Sequence, residues 1–316
     1  MLNTQMHLRQ IRRPVSPGLM QAVGNTALVP LTRITVGLPA AVQVLAKAEW
    51  LNPGGSVKDR PAANIIGSAL AAGELGKGRT LLDSTSGNMG ISYATLARSL
   101  GIPVALTIPS SASPERLKIL RALGAELYET DPLEGSDGAI RVAKQMKDKN
   151  RKRYFYADQY NNPANWEAHY AGTGPEIWEQ TDGSVTHFVA GMGTTGTLMG
   201  AGRFLREQSP AVRIIGFQPD APFHGLEGLK HMPSAIKPGI YDPSFADQTL
   251  QVSSEDAHAM TRRLASEEGL FVGVSSGAAA AVALRVAEKL ESGVVVTVFP
   301  DAGYKYLSES FWGLAK

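Results

Sequence analysis

The 316-residue sequence predicts an α/β protein of two units, each a mostly parallel, twisted sheet flanked by helices. Three observations carry that reading. Short β-branched runs alternate with Ala- and Leu-rich helical stretches, joined by Gly/Ser-rich turns. The strand-like runs are apolar almost throughout, as in strands covered on both faces. The length gives a prior of about two domains, and size scaling lets such a chain bury about 74% of its surface without staples.

The elements follow in order. Val42 to Trp50 reads as a strand, and Pro61 to Leu70 as an Ala/Ile-rich helix. Thr80 to Asp83 and Val104 to Ile108 are strands. Pro114 to Leu123 is a helix, with Leu117, Leu120 and Leu123 on one stripe. Ser113 is placed to cap it, Pro114 fits its first turn and Gly124 stops it. Glu126 to Thr130 is a strand. Residues 131 to 165 form the most polar stretch, where a crossover between units is expected. Strands at Thr186 to Ala190, Arg213 to Gln218 and Val294 to Phe299 frame a helix from about Gly277 to Leu290. No repeat or low-complexity linker interrupts the pattern.

Composition excludes several chemistries. The chain has no cysteine, so disulfides, thiolate zinc sites, iron–sulfur clusters and a cysteine nucleophile are ruled out. Covalent catalysis would need Ser, Thr, Lys, His or a carboxylate. The 31 basic and 29 acidic residues are too balanced to imply a nucleic-acid partner. The histidines show no metal spacing, so no metal is expected, and His169 and His187 read as structural or exposed. No apolar run approaches about 18 residues, so no membrane span is expected. The start lacks a secretory apolar region. Arg9, Arg12, Arg13 and Arg33 precede the first acidic residue, Glu49. A solvated basic arm explains that bias better than a transit peptide, and a cytoplasmic protein is expected.

In parallel sheets, ligands bind beyond the C-terminal strand ends, so the loops there hold the chemistry. The first, Asn52 to Arg60, brings Lys58 to the start of a helix through a Pro-Gly-Gly turn. A cation there is unfavourable, which favours the neutral amine that Schiff-base chemistry needs. A surface lysine is the plain alternative. The second, Ser84 to Gly90, offers hydroxyls, an amide and backbone N–H groups as a carboxylate or phosphate cradle. A Ser/Thr-capped turn explains it equally well. The third, Gly191 to Thr197, matches G-x-G-x-x-G, and Asp220 closes the next strand. A dinucleotide site would use Gly191, Gly193, Gly196 and Asp220. Its three threonines suit a compact phosphate monoester better. The fourth, Gly273 to Gly277, matches G-x-S-x-G. The last histidine is His258, so the hydrolase order fails. Ser275 and Ser276 then read as helix caps, or as a hydroxyl held toward a bound ring.

Together these loops resemble the cysteine synthase branch of fold type II pyridoxal-phosphate enzymes, which are tryptophan synthase β-like. The likeness runs from Val23-Gly24-Asn25-Thr26 through Asp158-Gln159-Tyr160-Asn161-Asn162-Pro163 to Asp301-Ala302-Gly303-Tyr304-Lys305-Tyr306-Leu307. The Gly-Thr-Thr-Gly-Thr loop is similar to B-type enzymes. The run Thr186 to Glu207 resembles the sulfhydrylases that use O-phosphoserine.

The resemblance implies that Lys58 forms the internal aldimine with pyridoxal 5'-phosphate and later moves the α-proton. Asn88 would meet the ring hydroxyl. Gly193, Thr194, Thr195, Gly196 and Thr197 would hold the phosphate, and Ser275 (or Ser276) would meet the pyridine nitrogen. Thr85, Ser86, Gly87 and Gln159 would grip the substrate carboxylate. The implied reaction is β-replacement: O-acetyl-L-serine or O-phospho-L-serine, through an aminoacrylate, combines with sulfide or thiosulfate to give L-cysteine. A homodimer is implied too, with residues 48–162 as a smaller mobile domain. Residues 1–47 with 163–316 would form the larger domain that holds the cofactor phosphate. A cystathionine β-synthase-like reaction is the close alternative; a chain ending at Lys316 is expected to lack that family's appended regulatory domain. A dehydrogenase using NAD or a non-catalytic phosphate-ligand sensor would be rivals from other classes.

Two positions depart from the family pattern. Met89 stands where the family usually has threonine, and one hydrogen bond to a charged carboxylate is worth about 1.5–3 kcal/mol. Lys230 stands where O-phosphoserine enzymes carry a phosphate-binding arginine, and lysine binds phosphate only as a point charge.

Overall fold

The computed structural model describes residues 18–85 and 87–313. Arg9, Arg12, Arg13 and Ser86 lie outside the described residues. Ten strands run through the described chain: β1 (Leu28–Pro30), β2 (Val42–Ala48), β3 (Thr80–Ser84), β4 (Val104–Pro109), β5 (Glu126–Thr130), β6 (Tyr154–Tyr156), β7 (His187–Gly191), β8 (Arg213–Pro219), β9 (Gln248–Val252) and β10 (Gly293–Phe299). The α-helices are α1 (Asp59–Ala71), α2 (Asn88–Ser99), α3 (Pro114–Ala122), α4 (Gly135–Lys149), α5 (Ala164–Ala168), α6 (Gly174–Gln180), α7 (Gly196–Gln208), α8 (Ser254–Glu267) and α9 (Val274–Ala287).

Two sheets result. The larger has the order β1-β2-β10-β7-β8-β9 and is parallel except for β1. The smaller has the order β5-β4-β3-β6 and is wholly parallel. Strand β10 shows why the larger sheet is covered on both faces. Its side chains alternate: Val295 and Phe299 enter the core under α8 and α9, while Val296 and Val298 enter the core under α6 and α7. Helix α9 lies against α8 at Gly277, where a Cβ would strike Thr261 and the Ala257 carbonyl. In the smaller sheet, Leu81, Val104, Leu106 and Ile108 pack with α1 and α2, and Leu82, Ala105 and Tyr154 pack on the opposite side.

The expected α/β architecture stands, with instructive local differences. The strand expected to reach Trp50 ends at Ala48, because Glu49 turns inward at 0% exposure to accept from Thr26 and Arg60. The helix expected from Gly277 starts at Val274, capped by Gly273 rather than by a serine side chain. Strands β1, β6 and β9 were not expected; each has five or fewer residues and lies at a sheet edge. The polar stretch 131–165 contains α4, whose buried residues are only Gly138, Ala139, Ile140 and Ala143.

Candidate active site

The C-terminal ends of β4, β7, β8 and β10 and the loops after β2 and β3 converge on a cavity of about 680 Å³. Lys58, Thr85, Asn88, Met89, Gln159, Gly193, Thr194, Thr195, Gly196, Thr197, Lys230 and Ser275 all line it. Residues from four separate loops therefore meet on one cavity. Gly87, between Thr85 and Asn88, is not among the lining residues.

Lys58 immediately precedes α1. Its turn is held from below: Val57 N–H donates to the Pro300 carbonyl at 2.8 Å, and Ser56 bridges Asp301. Burial lowers the pKa of its ammonium, against the attraction of Asp301 and Glu49. The helix N-terminus acts in the same direction. The first turn of α1 is clamped by Arg60, which forms hydrogen bonds of 2.7–2.8 Å to both Glu49 and Glu176. Lys47 closes that buried network onto Glu176 at 2.6 Å.

The loop after β3 is a polar helix start. Thr85 Oγ1 accepts from the N–H groups of Gly87 (2.9 Å) and Gly90 (3.1 Å), which leaves its own proton to donate. Gly87 has φ +147°, and a Cβ there would overlap the Arg116 side chain. Gln159 Nε2 donates to the Ser84 carbonyl at 2.6 Å. Met89 is 2% exposed and belongs to the core beneath the smaller sheet. Asp83, at the end of β3, accepts from Tyr93 Oη (3.0 Å) and Gln159 N–H (3.3 Å), and burial pushes its carboxyl up to about 8.

The loop after β7 is a backbone cradle at the N-terminus of α7. A Cβ on Gly193 would run into the Gly228 carbonyl, and one on Gly196 into Asn165. Thr195 is a non-glycine residue at φ +70°, and its buried Oγ1 has no partner. Asn165 Nδ2 donates to Thr194 Oγ1 at 3.1 Å. His169 Nε2 lies 3.3 Å from Thr197 Oγ1, and burial holds its pKa well below the ordinary value. A helix N-terminus lined by threonine hydroxyls, with glycines at 193 and 196, suits a phosphate. Asp220 is exposed and does not line the cavity, so the dinucleotide arrangement lacks its ribose carboxylate here.

Of the two serines at the start of α9, Ser275 lines the cavity. Ser276 is fully buried, and its hydroxyl has no partner. Lys230 lines the cavity at 6% exposure, but its Nζ donates to Asp137 at 2.8 Å and to Ser136 at 3.2 Å. Asp137 is held below the usual carboxylate range chiefly by that lysine and the Ile236 N–H, against its burial.

Sequence reasoning missed several residues that the fold brings here. Arg116 from α3 lines the cavity at 2% exposure, stacks over Tyr306 at 4.5 Å and pairs with Glu227. Asn165 and His169 stand behind the threonines. Asp301 and Lys305, both fully buried, grip Asn88. The last two lie in the C-terminal motif, which marked their neighbourhood but not their target. No local pattern marks the others.

The geometry agrees with comparisons to known proteins. Residues 19–301 match the family model described as "Pyridoxal-phosphate dependent enzyme". The chain is 50% identical to a cysteine synthase of Aquifex aeolicus over 93% of its length and 91% of that protein. It is 44% identical to cysteine synthase B of Pseudomonas aeruginosa over 94% and 97% of the two chains. A cysteine synthase structure from Entamoeba histolytica superposes with TM-score 0.92 at 34% identity, covering 99% of this chain and 95% of that one.

Proposed function

Because the chain belongs to the pyridoxal-phosphate dependent enzyme family, we propose that it makes L-cysteine by β-replacement on O-acetyl-L-serine. The C–O bond to acetate breaks, and a C–S bond forms to sulfide to give L-cysteine; with thiosulfate in its place the same step would give S-sulfo-L-cysteine. The observation that carries this is that Lys58, whose ammonium pKa is lowered by burial, and the threonine-lined helix start at Gly196 meet on one cavity. The cradle fits the cofactor: Gly193 and Gly196 leave the space that a Cβ would fill, and Thr195 Oγ1 is a buried hydroxyl awaiting a partner. When bound, pyridoxal phosphate supplies an electron sink that lets the α-proton leave and the β-substituent depart.

The chain's own residues do the rest. Lys58, as a neutral amine, would hold the cofactor's aldehyde carbon and, once released, carry the substrate's α-proton. Gly193, Thr194, Thr195, Gly196 and Thr197 would bind the phosphate. Asn88 would donate toward the ring oxygen. Ser275 would meet the pyridine nitrogen with a hydroxyl, which does not enforce its protonation as a carboxylate would. Thr85, Ser86, Gly87 and Gln159 would receive the substrate carboxylate, without a hydroxyl from Met89. O-phospho-L-serine would require Lys230 to leave Asp137, so the acetyl ester is the better substrate.

All strands of the smaller sheet fall between residues 80 and 156, which supports residues 48–162 as a smaller domain able to move against 1–47 and 163–316. No helix among the described residues is long and apolar enough to cross a membrane. The family likeness supports reading the protein as a cytoplasmic homodimer.

Purified protein is expected to be yellow with bound cofactor and to release acetate and form cysteine from O-acetylserine and sulfide. Lys58→Ala removes both the visible band and turnover; full activity in that variant overturns the mechanism. Faster turnover with homocysteine than with sulfide would instead favour the cystathionine-forming reaction.

A further inference from the structure

We propose that Asp301 and Lys305 are positioning residues that fix the amide of Asn88 as a pure donor toward the cofactor's ring oxygen. The inference rests on the cofactor reading above. Both residues come from the segment after β10, far in sequence from α2, which Asn88 begins. Lys305 Nζ donates to Asn88 Oδ1 at 2.9 Å and to the Gly55 carbonyl at 3.0 Å, with Gly54 at 3.3 Å. Asn88 Nδ2 donates to Asp301 Oδ2 at 2.7 Å, and Tyr306 Oη donates to the same oxygen at 2.9 Å.

An asparagine side chain has one acceptor oxygen and one NH₂ with two donors. Lys305 occupies the oxygen, and Asp301 takes one donor. Only the second N–H remains for the cavity that Asn88 lines. The amide cannot turn over without placing its NH₂ against the Lys305 ammonium and its oxygen against the Asp301 carboxylate. Two buried charges of opposite sign therefore lock one of two amide orientations. Both charges are 0% exposed, so solvent does not screen them, and the lock is charge-assisted at both ends.

The lock has a chemical consequence. A donor presented to the ring oxygen favours its deprotonated, negatively charged form, whereas a carbonyl presented there would favour the hydroxyl form. Lys305 also ties Asn88 to the Gly54–Gly55 turn that delivers Lys58. One side chain thus sets the register of the lysine loop and the ring-oxygen donor together.

The two ring-oxygen forms absorb in different bands, the anionic form in the visible and the hydroxyl form in the near ultraviolet. In Lys305→Met holoenzyme the visible to near-ultraviolet ratio should fall at least about two-fold, and pyridoxal phosphate should bind about ten-fold more weakly. Lys305→Arg keeps donors at that position and should restore both values. In an Asn88→Ala background, Lys305→Met should cause no further change in the ratio. Asp301→Ala, which removes the other anchor and keeps the cation, should shift the ratio the same way by less; it serves where Lys305→Met does not fold. An unchanged ratio in the single variants overturns the proposal, as does an equal shift with and without Asn88. A wild-type protein that shows no visible band with pyridoxal phosphate overturns the cofactor reading itself.

Discussion

The two walls of the cavity are built by different means. The wall from the larger sheet is shaped by close approach at glycines: Gly193 lies on the Gly228 backbone carbonyl, and Gly196 lies against the Asn165 side chain. The wall from the smaller sheet is attached to it by side chains. Asn88 reaches Asp301 and Lys305, Arg116 pairs with Glu227, and Lys230 pairs with Asp137. Close-packed backbone has no slack, so the phosphate wall is preformed. A few polar bridges can be exchanged without disturbing either core, which suits a wall that admits and releases substrate.

The largest effect should come from filling the backbone wall. Gly193→Ala puts a methyl group into the Gly228 carbonyl, and overpacking of this kind costs about 1–3 kcal/mol before any ligand is counted. Together with displacement of the cradle N–H groups, pyridoxal phosphate affinity should fall about a hundred-fold or more. Titration of cofactor-free protein followed by visible absorption measures it. Near-normal affinity would show that the cradle is soft and that the contrast between the walls is wrong.

A smaller effect should follow from freeing a charge on the bridged wall. Asp137→Asn leaves Lys230 without its carboxylate partner, 2.8 Å away. A freed ammonium beside the cavity should raise kcat/KM for O-phosphoserine about ten-fold. The value for the uncharged acetyl ester should stay within about two-fold. Parallel steady-state assays with both esters decide it; equal changes for the two would mean that Lys230 does not face the leaving group.

How far the sequence revealed these walls follows from what each is made of. The cradle was legible because glycine and threonine at fixed spacing carry their purpose locally: Gly193 must lack a Cβ, and Thr194, Thr195 and Thr197 must carry hydroxyls. Lys58 was legible because a lone cation at a helix start is electrostatically odd. The bridges were not legible. Arg116 and Glu227 are 111 positions apart, and each alone reads as a solvated charge. His169, read as structural or exposed, turns its ring toward Thr197 only because α5 and the turn after it pack on α7. The parallel sheets were visible in the runs of Val, Ile and Leu. Edge strand β9, with one buried residue, carries no such signal.

Met89→Thr should give the smallest effect, and it tests whether the bridged wall has an apolar floor for a reason. Met89 is 2% exposed and packs in the core beneath the smaller sheet while also lining the cavity. Threonine would restore a hydroxyl for the substrate carboxylate, a gain of up to about 1.5–3 kcal/mol in isolation. The same change removes buried thioether contacts and leaves a partial void, a loss of similar size that falls on the fold rather than on binding. The two terms therefore separate by measurement. KM for O-acetylserine should fall a few-fold, and Tm should fall by about 2–4 °C. A lower Tm with unchanged KM would mean that the side chain at position 89 serves the core alone and that the carboxylate is held by Thr85 and Gln159 without it.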